Sequence, residues 1–166
     1  MIKVLVVDDH DLVRTGIARM LDEVDGLRVV GEANSGELAV QMARELAPEV
    51  VLMDLKMPGI GGLEATRKLL RVDEGVRVIA VTMCEEEPFP SRLMKAGAAG
   101  YMTKGADLEE MVRAIKVVAT GQRYISPEIA QAMALKPYTG DEGSQLDMLS
   151  ERELQIMMMI VNCHKV

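Results

Sequence analysis

The feature that most constrains the fold of this chain is a regular recurrence of short apolar runs rich in β-branched residues. Five such runs begin at intervals of 22 to 28 residues. Between them, apolar residues recur every three or four positions, which is typical of amphipathic helices. Strands that alternate with helices predict βαβ units and a parallel sheet. The predicted strands are 2–7, 27–33, 49–54, 77–82 and 99–103.

The apolar character of these runs is nearly continuous, which indicates a sheet covered by helices on both faces. Right-handed crossovers then favour an α/β fold, a doubly wound (βα)5 parallel sheet with strand order 2-1-3-4-5. In this order strands 1 and 3 are central neighbours. The carboxyl ends of all five strands share one edge, where ligands bind to folds of this type.

Polar residues stand where four of the predicted strands end. Asp8 and Asp9 end the first strand, Asp54 the third and Thr82 the fourth, and Lys104 follows the fifth. Because these ends meet at one edge of the sheet, we expect the five side chains to converge. The second strand adds no obvious functional group to this edge.

Three neighbouring carboxylates repel one another and require a cation. Oxygen ligands with open positions suit Mg²⁺ or Mn²⁺. Asp54 can then attack phosphorus to form an acyl phosphate, while Lys104 and Thr82 supply an ammonium and a hydroxyl for the phosphoryl oxygens.

The residues at the end of the first strand also have a structural explanation, since Asp9 or His10 can cap the first helix. We interpret His10 as a helix-start residue rather than a metal ligand.

This constellation resembles the receiver domain of bacterial two-component response regulators over residues 1 to about 120. The segments D-x-K-M-P-G-I-G-G at 54–62 and K-A-G-A-A-G-Y-x-T-K at 95–104 stand where the family has them. The resemblance implies that Asp54 accepts phosphate from a sensor histidine kinase or its phosphotransfer domain. It implies a phosphoryl acceptor with slow autophosphatase chemistry rather than an enzyme.

The same resemblance implies roles for the neighbouring residues. Asp9, Asp54 and the backbone carbonyl of Lys56 would hold Mg²⁺, and Asp8 would reach it through water. Thr82 and Tyr101 would form a switch pair, in which the hydroxyl moves onto the phosphoryl group and the ring turns inward.

The chain after residue 120 departs from the strand–helix pattern. We interpret 121–148 as a linker with a short helix, because Ser126 and Pro127 form a typical helix start. Residues 149–166 resemble the start of a LuxR-type helix-turn-helix domain, with Ser150 and Glu153 spaced as a capping box. The whole is similar to NarL/FixJ-type regulators, and within them to the GacA/UvrY group, on CEEEPFP (84–90), GQRYISPEIAQ (121–131) and NCHKV (162–166).

A helix-turn-helix requires a second helix that enters the major groove. The sequence stops 16 residues after Ser150, so we expect the helix-turn-helix domain to be incomplete here. Promoter DNA would be bound only by a longer parent protein, and no DNA-binding residue is assigned within this chain.

The net charge of −7 and the aromatic content of 2% argue against nucleic-acid binding by this polypeptide itself. Two cysteines without paired spacing favour a reduced, cytoplasmic setting. Asp8 and Asp9 interrupt the apolar N-terminus too early for a signal or membrane-spanning segment. A homodimer is compatible with these observations, and a membrane partner is not expected.

Three other functions share part of this pattern. An aspartyl-phosphate hydrolase of the haloacid-dehalogenase type would carry its nucleophile on strand 1 in a D-x-D pattern, whereas strand 1 here ends in DDH. A flavodoxin-like nucleotide binder needs a glycine-rich phosphate loop, and HDLVRTG at 10–16 lacks the glycines for it. A stand-alone receiver that acts through protein–protein contacts remains the third alternative.

Overall fold

The computed structural model describes residues 1–83 and 88–135, together with residues 150, 152, 153 and 156. Strands and helices alternate along the described chain, as the sequence predicts. The strands are β1 (Ile2–Val7), β2 (Leu27–Ala33), β3 (Val50–Met53), β4 (Arg77–Thr82), β5 (Gly100–Thr103) and β6 (Tyr124–Ile125). The helices are α1 (Asp11–Asp22), α2 (Gly36–Leu46), α3 (Gly61–Val72), α4 (Phe89–Lys95), α5 (Leu108–Ala119) and α6 (Pro127–Leu135).

The strands form one parallel sheet with the order β2-β1-β3-β4-β5-β6. This order confirms the predicted doubly wound arrangement of the first five strands. In the centre, Val7 of β1 lies opposite Met53 of β3. The residues that follow these two strands are therefore placed side by side.

Successive residues of a strand point to opposite faces of the sheet, and both faces are apolar here. Val4 and Val6 of β1 belong to a core cluster that includes residues of α1 and α5. Leu5 and Val7 belong to a second cluster that includes residues of α2 and α3. This burial on both faces explains why the strands have no alternating polar positions.

The sixth strand corrects the sequence-based prediction of five. Tyr124 and Ile125 extend the sheet beyond β5, and α6 follows at once. Ile129 of α6 is 1% exposed and belongs to a third core cluster, with residues of α4 and with Tyr101. The short helix predicted within 121–148 is thus confirmed. The first part of this predicted linker, which contains β6 and α6, packs against the sheet. The proposed boundary at residue 120 stays a prediction.

Other predicted features lie at the edge of what the structure describes. The rest of the linker, 136–148, lies outside the described residues, as do most of 149–166 and the segment 84–87. Within the predicted capping box, the Glu153 amide donates to Ser150 Oγ at 3.2 Å. In the described part of the chain, no helix is both long and apolar enough to cross a membrane.

Candidate functional site

The sheet brings two aspartates together because β1 and β3 are hydrogen-bonded neighbours. Asp8 follows β1, and Asp54 follows β3, with its amide donating to the Val7 carbonyl at 2.9 Å. Asp8 is 2% exposed and Asp54 is 3% exposed. Two carboxylates buried this closely are costly unless a cation compensates their charge.

Lys104 supplies that cation. Its Nζ lies 2.7 Å from Asp8 Oδ2 and donates to Asp54 Oδ2 at 3.1 Å. The Lys104 amide donates to the carbonyl of Thr82 at 3.1 Å, which fixes the chain after β5 beside the end of β4. The predicted convergence of Asp8, Asp54 and Lys104 is therefore observed directly.

Burial and charge set the protonation of this pair. Burial raises the pKa of Asp54 from 3.8 to about 6, opposed by the Lys104 ammonium and assisted by the charge of Asp8. Burial alone would lower the pKa of Lys104, but the Asp54 and Asp8 carboxylates outweigh it and raise that pKa above its usual value. Lys104 is therefore charged at neutral pH, and it holds one oxygen of each carboxylate.

The other side of the site is formed by the residues that follow Asp8. His10 occupies the position before α1, where its side chain makes no cap hydrogen bond. Its Nδ1 instead lies 3.1 Å from Asp8 Oδ1 and 3.1 Å from Asp9 Oδ1. The His10 amide also donates to Asp8 Oδ1 at 2.8 Å. The helix-start position predicted for His10 is confirmed, while its ring faces the acidic residues.

These residues fit a divalent cation. Asp8, Asp9, His10 and Asp54 each offer a ligand atom, and these atoms all lie within 4.8 Å of one another. Among the described residues, Asp9 Oδ1 is buried without a hydrogen bond of its own, since His10 Nδ1 lies 3.1 Å away but makes its hydrogen bond with Asp8 Oδ1. A buried carboxylate oxygen without a donor is stabilised by a metal ion, and carboxylate oxygens suit Mg²⁺ or Mn²⁺.

The loop after β3 forms a further side of the site and contacts the Asp54 carboxylate. The Lys56 amide donates to Asp54 Oδ1 at 3.3 Å, so this loop turns tightly around the carboxylate. A Cβ atom added to Gly62 would lie 2.3 Å from the Asp54 carbonyl oxygen. Only glycine allows α3 to approach the end of β3 this closely. The Lys56 carbonyl as a metal ligand stays a prediction.

The predicted switch residues lie next to this site and in the adjacent core. Thr82 is 1% exposed at the end of β4, in the same strand-end row as the carboxylates. Tyr101 of β5 is completely buried, in the cluster that contains Leu93 of α4 and Ile129 of α6. The ring is thus in the inward position, and its role as a switch stays a prediction.

Sequence reasoning missed Arg14 as a support of the site. Its Nη1 donates to the Asp8 carbonyl at 2.8 Å, and its Nη2 donates to Asp11 Oδ1 at 2.8 Å. The guanidinium therefore ties the first turn of α1 to the residue that ends β1. The only available signal was an arginine five residues after the acidic pair, which by itself resembles a surface charge.

Comparisons with known proteins agree with this geometry. The family "Response regulator receiver domain" matches residues 4–116. Response regulator GacA of Pseudomonas aeruginosa is 68% identical, over the whole of this chain and 78% of its own length. Response regulator UvrY of Escherichia coli is 54% identical, over the whole chain and 77% of its length.

A solved structure supports the same grouping. A LuxR-family two-component response regulator from Aurantimonas superposes with a TM-score of 0.78 and 40% identity, covering 82% of this chain and 97% of that one. The residues matched by the family, 4–116, contain the ends of β1 to β5. The chain therefore belongs to the response regulator receiver domain family, as a close relative of the GacA and UvrY response regulators.

Proposed function

We propose that Asp54 is the residue of this receiver that accepts a phosphoryl group, donated by the phosphohistidine of a sensor histidine kinase or its phosphotransfer domain. One observation supports this assignment above the others. The Asp54 carboxylate lies at the end of a central strand, where Lys104 Nζ contacts it at 3.1 Å and two further aspartates lie beside it. In such a site a carboxylate can act as a nucleophile toward phosphorus.

In the proposed reaction, a carboxylate oxygen of Asp54 attacks phosphorus and forms a P–O bond. The P–N bond to the donor imidazole breaks, and its electron pair stays on the leaving histidine. Lys104 already contacts Asp54 and is charged. Its ammonium can therefore stabilise the negative charge on the phosphoryl oxygens during the transfer. The Thr82 hydroxyl, buried at the adjacent strand end, is proposed as a hydrogen-bond donor to the same group.

We assign Mg²⁺ to the acidic cluster, with Asp9, Asp54 and the Lys56 carbonyl as ligands and Asp8 reaching it through water. When bound, the ion neutralises negative charge shared by the carboxylates and the incoming phosphoryl group. The chain's own residues divide the work, since Lys104 occupies the Oδ2 atoms of Asp8 and Asp54. The Oδ1 atoms of Asp8 and Asp9 each lie 3.1 Å from His10 Nδ1.

The acyl phosphate is then hydrolysed slowly by water, which makes the chain an acceptor with autophosphatase chemistry rather than a turnover enzyme.

Thr82 and the buried ring of Tyr101 are the residues proposed to change position on phosphorylation and so to transmit the signal. The output is transcription control by a LuxR-type DNA-binding domain, of which residues 149–166 are the start. The proposed setting is the cytoplasm, and a homodimer is a possible active form.

Acetyl phosphate tests the acceptor role without a partner kinase. With Mg²⁺ present, we expect one phosphoryl group per chain, stable in acid and labile in base, and dependent on Mg²⁺. Asp54→Asn should abolish incorporation, because an amide does not attack phosphorus. Asp25→Asn serves as a matched control, since Asp25 is exposed and lies just before β2, at the edge of the sheet opposite to the strand ends that form the site.

Two results would contradict the proposal. Labelling that persists in Asp54→Asn would move the acceptor to another residue. Rapid release of inorganic phosphate over many turnovers, with no accumulation of the phosphorylated chain, would indicate an aspartyl-phosphate hydrolase instead. A single slow decay of the bound phosphate supports the receiver function.

A further inference from the structure

Glu37 belongs to α2, yet its carboxylate reaches the loop that follows Asp54. Its Oε1 accepts a hydrogen bond from the Ile60 amide at 2.8 Å. A Cβ atom added to Gly59 would lie 2.5 Å from Oε1 and 2.9 Å from Oε2, so the carboxylate lies directly against this glycine. The Gly59 carbonyl, on the other side of the same peptide group, accepts from Arg152 Nη1 at 3.2 Å. The phosphoryl transfer proposed above does not explain the contact from α2.

This contact replaces a cap that the sequence of α3 does not provide. Ile60 occupies the N-cap position of α3 and makes no side-chain cap hydrogen bond. In a capping box, an acidic residue three positions further on accepts from the N-cap amide. Here that position is Leu63, which is apolar and buried. Glu37 therefore supplies the missing acceptor from another helix, and it places a negative charge at the positive end of α3.

The starts of α2 and α3 are packed against each other, which gives the carboxylate a fixed support. A Cβ atom added to Gly36 would lie 2.9 Å from both Ile60 Cγ1 and Ala65 Cβ. The Ser35 side chain caps α2 by accepting from the Leu38 amide at 3.1 Å. The first turn of α2 is therefore held in place at the point where the glutamate leaves it.

The same loop orients the acceptor carboxylate. At its first end, the Lys56 amide donates to Asp54 Oδ1 at 3.3 Å. At its other end, the Gly62 amide donates to the Leu55 carbonyl at 3.2 Å. Between these contacts, residues 58 and 59 are exposed, so core packing contributes little to their position. A hydrogen bond to the next amide is therefore well placed to fix the geometry of the whole loop.

We propose that Glu37 is a positioning residue for phosphoryl acceptance, which caps α3 from α2 and so keeps the loop after β3 in the geometry that presents Asp54 to its donor. This inference rests on the proposed acceptor role of Asp54. Without the contact, the loop and the carboxylate that it orients would shift, and small displacements of a nucleophile strongly reduce the rate of attack. Binding of the phosphoryl donor would change little, because Glu37 acts through the loop.

Labelling of the full chain over a range of acetyl phosphate concentrations, at saturating Mg²⁺, tests this role. Glu37→Ala should lower the maximal labelling rate about tenfold, while the half-saturating acetyl phosphate concentration changes less than about twofold. Glu37→Gln should restore the maximal rate to within about twofold of wild type, because its amide oxygen can still accept from the Ile60 amide. Both variants lose the same charge, so the difference between them reports the hydrogen bond.

Glu45→Ala is the matched control. Glu45 is an exposed glutamate of the same helix, and its carboxylate accepts from Gln41 within α2. This variant removes the same charge and should be labelled at the wild-type rate. Glu37→Asp is a second test that does not depend on the folding of the alanine variant. It keeps the charge but shortens the side chain by one methylene, and it should also be labelled more slowly than wild type.

Hydrogen exchange of the Ile60 amide, followed by NMR, measures the contact without phosphorylation. Exchange should accelerate in Glu37→Ala and stay near the wild-type rate in Glu37→Gln. Unchanged exchange in the alanine variant would show that the carboxylate does not hold this amide, and would overturn the inference.

The labelling outcomes separate this inference from the proposed function. Equal rates in wild type, Glu37→Ala and Glu37→Gln overturn the positioning role, even if the alanine variant unfolds at lower urea concentration, because the contact then serves stability alone. Equal losses in both variants assign the effect to charge and overturn the hydrogen-bond mechanism. In both cases the acceptor role of Asp54 stands. A wild-type chain that is not labelled at Asp54 refutes the proposed function itself.

Discussion

Asp54 is held in the folded protein against an electrostatic cost. Its carboxylate is almost fully buried beside Asp8, and Lys104 offsets only part of the penalty, so its pKa is raised to about 6. A charged carboxylate in this state gains from any further cation placed beside it. The same feature that makes the site unfavourable without metal therefore favours the binding of the proposed cation.

This raised pKa predicts how stability changes with pH in the metal-free protein. The folded state holds the Asp54 proton more tightly than the unfolded state, whose pKa is near 3.8. The resulting stabilisation is fully present below pH 3.8 and is lost as the pH rises through about 6. Relative to Asp54→Asn, the wild type should lose on the order of 3 kcal/mol of unfolding free energy between acid and neutral pH.

Urea unfolding of both proteins in chelator, at several pH values from acid to neutral, measures this difference. Saturating Mg²⁺ should reduce it, because a bound cation stabilises the ionised carboxylate. A stability difference that does not vary with pH would show that the Asp54 carboxylate is not destabilised by burial.

At the residue scale, sequence reasoning predicted the groups whose positions follow from strand topology. Asp8, Asp54 and Lys104 were predicted together because parallel strands end at one edge. The contacts of His10 and Arg14 were missed because they depend on how the first turn of α1 folds back onto β1. That geometry is set by side-chain packing, and no spacing in the sequence expresses it.

At the element scale, the start of α3 determines where Asp54 sits. Gly61 has φ of 72°, a conformation that suits glycine. The Gly62 amide donates to the Leu55 carbonyl at 3.2 Å, so the first turn of α3 packs directly on the end of β3. The paired glycines of the MPGIGG segment are thus explained by this close approach.

Gly62→Ala should therefore displace the backbone of Asp54. The added Cβ would meet the Asp54 carbonyl oxygen at 2.3 Å and Leu55 Cα at 2.7 Å, and neither atom can rotate away. We expect a loss of about 2 kcal/mol or more of unfolding free energy, as for other overpacked sites. The rate of labelling by acetyl phosphate should fall as well.

Gly16→Ala is the matched control, because Gly16 lies within α1 and an added Cβ would contact nothing within 4 Å. Alanine is a better helix former than glycine, so the free energy of unfolding of this variant should rise by about 0.5–1 kcal/mol. Thermal or urea unfolding of the two variants measures both effects. Equal stability changes would refute the close-approach explanation of Gly62.

The sequence predicted the long elements better than the short ones. The five longer apolar runs were recognised because each contains β-branched residues and is followed by a segment with polar or helical character. β6 has only two residues, Tyr124 and Ile125, and α4 has only seven, 89–95. Neither is long enough to show a period, and both are fixed by packing against β5.

At the scale of the whole molecule, the segment after residue 120 is joined to the sheet. The Ser126 amide donates to the Tyr101 carbonyl at 3.0 Å, and Ile129 fills a core cluster that contains the Tyr101 ring. Tyr101, the predicted switch residue, is thus in contact with β6 and α6, the elements that lead along the chain toward the predicted output segment. A further contact joins Arg152 Nη1 to the Gly59 carbonyl at 3.2 Å, close to the loop after Asp54.

Ile129→Ala should destabilise the sheet domain as a core substitution does. Ile129 is 1% exposed, and truncating a buried isoleucine to alanine costs about 2–5 kcal/mol. Leu135→Ala is the control on the same helix, since Leu135 is 49% exposed and should change stability by less than about 0.5 kcal/mol. Urea unfolding compares the two variants.

If Ile129→Ala left the stability of the sheet domain unchanged, the domain would end before α6, as the predicted boundary at residue 120 has it. A large loss would instead extend the domain through α6. The strand order and the convergence of Asp8, Asp54 and Lys104 were accessible from the sequence, while the packing of this segment depends on a core cluster with residues of α4 and β5 that only the folded chain forms.

The most direct measurement of the central claim is the chemical location of the phosphoryl group in the wild-type chain. After labelling with acetyl phosphate and Mg²⁺, borohydride reduction converts an acyl phosphate to an alcohol that peptide mass spectrometry can locate. We predict a single reduced residue, Asp54, in the peptide that follows β3. Reduction at Asp8, Asp9 or any other carboxylate, or a phosphate found on a hydroxyl or imidazole, would contradict the account.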